Sequence, residues 1–478
     1  MTQGATAPAR RRPASDTSWW LWAGGALATA LVVGVALSTT LQIALVALGL
    51  IAAVVIRSRK GVLRLAVVLI PTTGLIRRLA AGPEARQDSD PLLLLPLVLL
   101  LAVVIFSLTT PRTDKRGGAM RFAAAATMVG IAASILLTST FTVDVIFYAA
   151  LVIVPLFAAL MIGNGKIPPV WPTVQRVLPG LAVAVGTYGI AQFFLLPSWD
   201  RAWMLSSKLT SIGHAVPREV RVFAASESPG PFALFLGVTL TVCLYVTVVE
   251  RSGARRFPWL VLSLYLAVPL LLTGVRSALI GVAFCALVLA LVRARGVTRI
   301  LVVAFLVGVY YLLNAVIARF GAGSTILSAD RYTQFSGTDD SLVARLTLLN
   351  YLRNPFQHII GAPAAPRFDN LYVDVLVNYG ILPAAALFVL VGGLTIVSLR
   401  NLVRSHNEAA SLAFLFIATQ TMFGNVFGSL FGLLVGIVVG TVLTRQPAEP
   451  KEPQGPKLSR TYQRLQTTTK APERTSAR

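Results

Sequence analysis

This sequence predicts an all-α, polytopic transmembrane helix bundle, and three observations lead there. Of its 478 residues, 55% are hydrophobic and only 13% charged, with a mean hydropathy of +0.74, more apolar surface than a soluble core buries. The apolar residues gather into runs near the roughly 20 residues that cross about 30 Å of hydrocarbon. The Lys and Arg behind a net charge of +23 are spread over short connectors and two tails, not collected in one basic domain. That pattern argues for membrane topology and against nucleic acid as a partner.

Arg10, Arg11 and Arg12 precede a first run at 19–38 that has no A-x-A cleavage pattern, so it reads as a retained anchor behind a basic cytoplasmic N-terminus, 1–18. Further runs lie at 41–56, 61–76, 91–109, 119–138, 143–163, 178–197, 229–249, 257–273, 277–292, 299–318, 371–398, 409–423 and 425–443. About 12–14 spans follow. The lower figure reflects the short run at 61–76, which holds Pro71, and the last pair, which share one apolar stretch broken by Gly424 and Asn425. Cys243 and Cys285 both fall inside runs and no CxxC exists, so neither a disulfide framework nor a zinc site is indicated.

Cytoplasmic connectors accumulate Lys and Arg. With the N-terminus inside, RSRK at 57–60, PRTDKRGGAMR at 111–121, ERSGARR at 250–256, RARGVTR at 293–299 and LRNLVR at 399–404 all fall on the inner face. Arg77 and Arg78 break the pattern by falling outside. The transmembrane domain, 19–445, is followed by residues 446–478, rich in Pro, Thr, Gln and basic residues, which read as a disordered cytoplasmic tail beside anionic headgroups.

Two connectors, 198–228 and 319–370, are much longer than the rest and face the extracytoplasmic side in this topology. They hold Arg201, Lys208, Arg218, Arg221, Arg319, Arg331, Arg345, Arg353 and Arg367. One reading is plain solvation of loops that translocate regardless of charge; the other is an anion site, because eight of these nine are Arg, whose planar fork matches phosphate oxygens. The second connector contains a short amphipathic helix, SLVARLTLLNYLR at 341–353. At the helical period Arg345 falls inside its apolar arc, between Leu352 and Leu349, where it either snorkels or points into a cavity at headgroup depth.

The stretch RFDNLYVDVLVNYG, 367–380, then opens the run at 371–398. Asn370, Asp374 and Asn378 recur every fourth residue and share one drifting helix face, a polar stripe expected to line a pocket opening outward. Asp369 just before it is either a helix cap or a reactive carboxylate. His358, in NPFQHIIG, reads as a turn residue, and no acidic or histidine cluster has metal-ligand spacing, so no metal or cofactor is expected.

Three stretches together resemble the O-antigen polymerase and O-antigen ligase superfamily of bacterial membrane glycan-assembly proteins. TGVRSALIGV at 273–282 is similar to a motif opening a span and offers Arg276, with Val275 where the family has serine. RVFAASESPGPFALFL at 221–236 resembles a second motif and offers Arg221, with Ala224 where the family has glycine. SLVARLTLLNYLRNPFQHIIGAP, followed by FDNLYVDVLVNYGILPAA, resembles the large-loop signature of an arginine helix, a Pro-x-x-Gly turn, then His-Asn or Asp-Asn, nine residues and Gly. Here Gly380 ends that spacing after Asn370. Ligases of the family carry histidine where this chain has Asp369, whereas polymerase-like members carry the aspartate.

The resemblance covers about residues 180–400. It implies a multi-pass protein of the bacterial cytoplasmic membrane, acting on its outer face by glycosyl transfer from a polyprenyl-pyrophosphate-linked oligosaccharide to a glycan or envelope acceptor. Polymerisation of repeat units is the first reading and ligation onto an envelope acceptor the second. A chain-length regulator and other polysaccharide-assembly proteins are further partners that it implies. Arg221, Arg276 and Arg345 are the candidates for binding pyrophosphate, Asp369 is the first candidate for general base and Glu227 the second. Two competing classes fit less well. A transporter or flippase would show repeated interrupted helices in two halves, and a transferase fed by polyprenyl monophosphate would carry acidic residues in a long first external loop, where this chain has only STT.

The topology is directly testable. A tag at residue 330 should react with an impermeant reagent on intact cells, while tags at 254 and 460 should react only after permeabilisation; the reverse labelling would overturn the proposed sidedness.

Overall fold

The computed structural model describes residues 59–81, 93–111, 118–168, 170–207, 212–320, 343 and 347–444. The expected runs at 19–38 and 41–56, the N-terminus 1–18, Arg345 and the tail 446–478 lie outside the described residues.

Among the described residues the chain forms fifteen α-helices, one 3₁₀ turn and an isolated bridge between Gly213 and Val220. In order, the helices are α1 (Arg59–Ala81), α2 (Leu94–Leu108), α3 (Ala119–Thr138), α4 (Val143–Gly163), α5 (Trp171–Leu195), α6 (Ser198–Ser206), α7 (Pro229–Val249) and α8 (Gly253–Leu272). They continue with α9 (Arg276–Val292), α10 (Val297–Phe320), α11 (Asn350–Arg353), α12 (Leu371–Tyr379), α13 (Ile381–Arg404), α14 (Glu408–Thr421) and α15 (Phe431–Leu443). Seven of them, α3, α4, α5, α7, α8, α10 and α13, are long and apolar enough to cross a membrane. The protein is an all-α polytopic bundle.

Local chemistry sets several boundaries. The Thr142 hydroxyl accepts from Val145 N at 3.3 Å and starts α4, with Asp144 in the first turn where a negative charge favours the helix dipole. Pro229 starts α7, because its missing N–H falls where no intrahelical partner exists. The run expected at 371–398 is two helices, not one. Gly380 separates α12 from α13 at φ 99°, and a Cβ there would lie 2.5 Å from Ile359 O. Gly361, at φ 88°, faces the same break from the other strand of chain, so two main chains meet where neither tolerates a side chain.

Close approach also builds the interior. Gly432, Gly436 and Gly440 lie a turn apart on α15 and turn bare backbone toward α4. A Cβ on Gly440 would lie 2.8 Å from Ile162 Cβ and 3.0 Å from Ala159 Cα, and one on Gly436 would strike the Pro155 carbonyl. In lipid, where apolar side chains gain nothing by leaving the solvent, such small-residue seams supply association through packing.

Contacts sort the connectors to two ends of the bundle. At one end Leu75 N donates to Ala225 O at 2.7 Å, Arg218 N to Phe193 O at 2.7 Å, Val222 N to Leu272 O at 3.1 Å and the Asn370 side chain to Met422 O at 3.0 Å. Glu227 and Ser429 line one cleft there, which joins the first long connector to the α14–α15 connector. At the other end Arg293 pairs with Glu408, Arg121 donates to Gly163 O at 2.6 Å, Lys166 to Leu108 O at 2.9 Å and Asn407 to Thr441 O at 3.1 Å. The basic connectors thus share the end opposite the two long ones.

Substituting Gly436→Leu should lower the melting temperature of detergent-purified protein, since overpacking a tight seam costs about 1–3 kcal/mol. Gly392→Ala, whose added Cβ meets nothing within 4 Å, should leave it unchanged. Equal melting temperatures for the two variants would mean that the seam does not hold the bundle.

Candidate functional site

The end that gathers the long connectors is organised around Arg78. This residue ends a helix that carries it out of the apolar run, yet it is only 1% exposed. Its Nε lies 2.7 Å from Asp200 Oδ1, with both side chains fully buried. Nη1 donates to Ser226 O at 2.6 Å and Nη2 to Ala224 O, and the guanidinium carbon sits 4.8 Å from the centre of the Phe223 ring. Asp200, in α6, takes further donors on Oδ2: Tyr188 Oη and Gln192 Nε2, each at 2.7 Å. The Gln192 carbonyl oxygen accepts from Phe223 N at 3.0 Å and Ala224 N at 2.8 Å. An arginine and a glutamine therefore supply the partners that residues 223–226, which belong to no helix, would otherwise lack.

This hold fixes both ends of a short irregular segment. At its start, Arg221 is half-buried; Nε donates to Thr273 O at 3.0 Å and Nη2 to Gly274 O at 3.4 Å. Those carbonyls belong to the turn between α8 and α9, and α9 begins at Arg276, itself half-buried. The structure thus brings Arg221 beside the turn that presents Arg276. At the segment's other end, Glu227 Oε1 accepts from Arg77 Nη1 at 3.2 Å, and Arg77 also sits 5.4 Å from the centre of the Trp203 ring. Arg77 and Arg78, the exceptions to the charge pattern, are the residues that clamp the first long connector.

The second long connector delivers Asp369. It is exposed, and its carboxylate engages no described residue. It is not the cap of α12: Asn370 Oδ1 accepts from Tyr372 N at 3.0 Å and Val373 N at 3.1 Å. The cap expected as one role of Asp369 belongs to its neighbour, because the Asn370 backbone is the one in the extended conformation next to the helix.

The polar stripe of Asn370, Asp374 and Asn378 is also corrected. Its members are 5%, 3% and 0% exposed and close on one another instead of lining an outward-opening pocket. Asp374 Oδ1 accepts from Phe368 N at 3.0 Å and Asn378 Nδ2 at 3.1 Å, and Oδ2 accepts from Asn425 Nδ2 at 3.0 Å. Arg367 Nη1 lies 3.9 Å from the same carboxylate and donates to Tyr379 Oη at 3.2 Å, with the Tyr148 ring centre 4.5 Å from its guanidinium. A carboxylate buried at a helix start needs this many partners, which turns the stripe inward.

Arg77, Arg78, Asp200, Gln192 and Asn425 carry the geometry but are not site candidates in the sequence, and Arg367, one of the long-connector arginines offered there for an anion site, instead faces the Asp374 carboxylate. The break in the charge pattern at Arg77 and Arg78 was the one visible signal for them. Among the described residues no three His, Cys, Asp or Glu side chains converge as metal ligands, and both cysteines are buried and free.

Fold and site define the class as a multi-pass α-helical membrane protein with a polar, arginine-rich end. Comparison with protein-family profiles and with characterised proteins finds no match for the chain.

Removing one partner of a buried ion pair strands the other and costs about 3–5 kcal/mol. Arg78→Met and Asp200→Leu should each lower the melting temperature, and the double variant should lose less than the two single losses added together. Fully additive losses would show that the pair does not act as a unit.

Proposed function

We propose that this protein transfers an oligosaccharide from a polyprenyl-pyrophosphate carrier to an acceptor hydroxyl on the outer face of a bacterial cytoplasmic membrane, polymerising repeat units of a surface polysaccharide. The observation that carries this reading is the co-location, at the end of the bundle opposite the basic connectors, of fixed guanidinium groups and an exposed carboxylate that has no hydrogen bond or ion pair among the described residues. The likeness of the Arg221, Arg276 and Asp369 stretches to glycan polymerases and ligases adds to it. Ligation onto an envelope acceptor uses the same donor chemistry and differs in the acceptor alone.

In this reading the acceptor oxygen forms a bond to the anomeric carbon as the bond from that carbon to the pyrophosphate oxygen breaks. The acceptor proton passes to the Asp369 carboxylate, and the departing pyrophosphate gathers negative charge. Arg221 and Arg276, with Arg345 from the part of the connector outside the described residues, stabilise that charge; a single preorganised donor is worth about 3–4 kcal/mol in comparable oxyanion sites. Arg221 suits the task because two main-chain carbonyls fix its orientation before substrate arrives. Glu227 is the weaker base candidate, because Arg77 already occupies one of its oxygens.

The test is elongation of a lipid-linked oligosaccharide by purified protein in proteoliposomes, read as product length. Arg276→Lys should lose most of the activity at normal abundance, since an ammonium cannot reproduce the planar fork. Asp369→Asn should lower the rate by about 100-fold or more, while Asp369→His keeps partial activity because imidazole also accepts a proton. A fully active Asn variant would remove Asp369 as the base, and the absence of elongation by the wild-type protein with a range of carriers would sink the reading.

A further inference from the structure

Residues 355–360 of the second long connector display apolar side chains outward from a main chain that is held in place. A 3₁₀ turn spans Pro355–His358. Phe356 is 76% exposed, Ile359 64% and Ile360 48%. Ordinarily such a display marks a loose loop, but this backbone is pinned on two sides. The Ser134 hydroxyl of α3 donates to Ile360 O at 2.5 Å, and Ala362 N donates to Val377 O of α12 at 2.8 Å. Gly361 packs against the main chain at Gly380, and the Tyr351 ring bridges His358 and Phe368, at 5.9 Å and 5.4 Å between centres.

The level of this segment matters. Ser134 stands four residues before the end of α3, so Ile360 lies about 6 Å inside the end of that helix at 1.5 Å per residue. Around it the ends of α3 and α4 expose Leu136, Leu137, Phe141 and Val143. Both helices have the length and composition to cross a membrane, and their flank has to face lipid if they do. The apolar display of 355–360 joins that flank through the Ser134 contact, with Gln357 exposed within it and Ser139, Thr142 and Asp144 exposed at the helix ends, a mix suited to the level of the headgroups. Arg353, exposed just before the turn, stands where its guanidinium can reach headgroup phosphates while the neighbouring side chains enter the acyl region.

We infer that Pro355–Ile360 is a foot of the second long connector that inserts into the bilayer, with Phe356, Ile359 and Ile360 at the boundary between headgroups and acyl chains. The ligand is the lipid surface itself, and the foot holds independently of the proposed transfer reaction. Continuity with the flank of α3 and α4 favours lipid over a second copy of the chain.

The experiment places a nitroxide at Phe356→Cys and, separately, at Ile359→Cys in the full-length protein, reconstituted in phosphatidylcholine and phosphatidylglycerol vesicles. Cys243 and Cys285 are buried, so an exposed new thiol labels selectively. Leu137→Cys serves as the lipid-facing reference and His214→Cys, exposed on the first long connector, as the aqueous one. Oxygen accessibility severalfold above that of a water-soluble nickel chelate is expected at 356 and 359, as at 137. Chelate accessibility matching position 214 would overturn the inference, and so would exclusion of both reagents, which would mean that protein covers the segment. If one variant fails to elute as folded protein, the other carries the same reading.

Discussion

The long-connector end of this protein depends on one buried guanidinium. A chain that leaves a helix at the edge of a membrane loses the ladder that satisfied its N–H and C=O groups, and no bulk water replaces it within the bundle. Arg78 meets this constraint by donating to Ser226 O and Ala224 O while Asp200 neutralises its charge. Gln192 performs the complementary service for two amide donors. Residues 221–227 are thereby held by hydrogen bonds along their length without forming a helix. Ala224 adds a local cost, since it stands at φ 46°, a left-handed conformation worth roughly 1–2 kcal/mol against a side chain with a Cβ. Glycine would remove that cost. The Arg78 donor to the Ala224 carbonyl and the Gln192 acceptor for its N–H offset it here.

The same residue types do different work at the two ends, which is why charge counting along the sequence sorts sides but not roles. At the basic end, Arg121 meets Gly163 O where α4 terminates, and Arg293 pairs with Glu408 at the start of α14. Those contacts close helix ends and tie neighbours, as cations near helix C-termini do. At the other end Arg78 and Arg77 grip a loop, Arg221 reads a turn and Arg367 is stacked over Tyr148. Between the ends, polar chemistry gives way to the glycine seam of α4 and α15, where contact is all packing.

How legible the fold was in the sequence depends on whether a boundary is local or tertiary. The spans at 143–163 and 229–249 coincide with α4 and α7, because Thr142 and Pro229 impose those starts within a few residues of themselves, and the span at 119–138 coincides with α3. The break at Gly380 depends on the approach of Ile359 and Gly361, and the apolar run continues straight across it, so hydropathy merges the two helices. Asp369 and Asn370 are both good cap residues, and backbone conformation alone assigns the cap to Asn370. Spacing placed Asn370, Asp374 and Asn378 on one face, but not whether that face looks outward or into the protein. Nor does any local pattern announce Asp200 as the partner of Arg78, since the pair closes only when α6 folds back across α1.

Two carboxylates five residues apart illustrate how burial assigns roles. Both Asp374 oxygens are taken, Oδ1 by Phe368 N and Asn378, Oδ2 by Asn425 with Arg367 nearby. Three hydrogen bonds and a nearby guanidinium commit such a group to holding structure. Around Asp369 the arrangement is the converse. Arg367 donates to Pro363 O and Tyr379 Oη, Phe368 N is bonded to Asp374, and Asn370 spans its own helix and Met422 O. Each flanking residue is committed, so the Asp369 main chain is fixed while its oxygens stay open to solvent. A general base needs that combination, a constrained position with unoccupied acceptor capacity. Under the proposed reaction, the buried network of Asp374 is therefore what makes the exposed carboxylate of Asp369 usable.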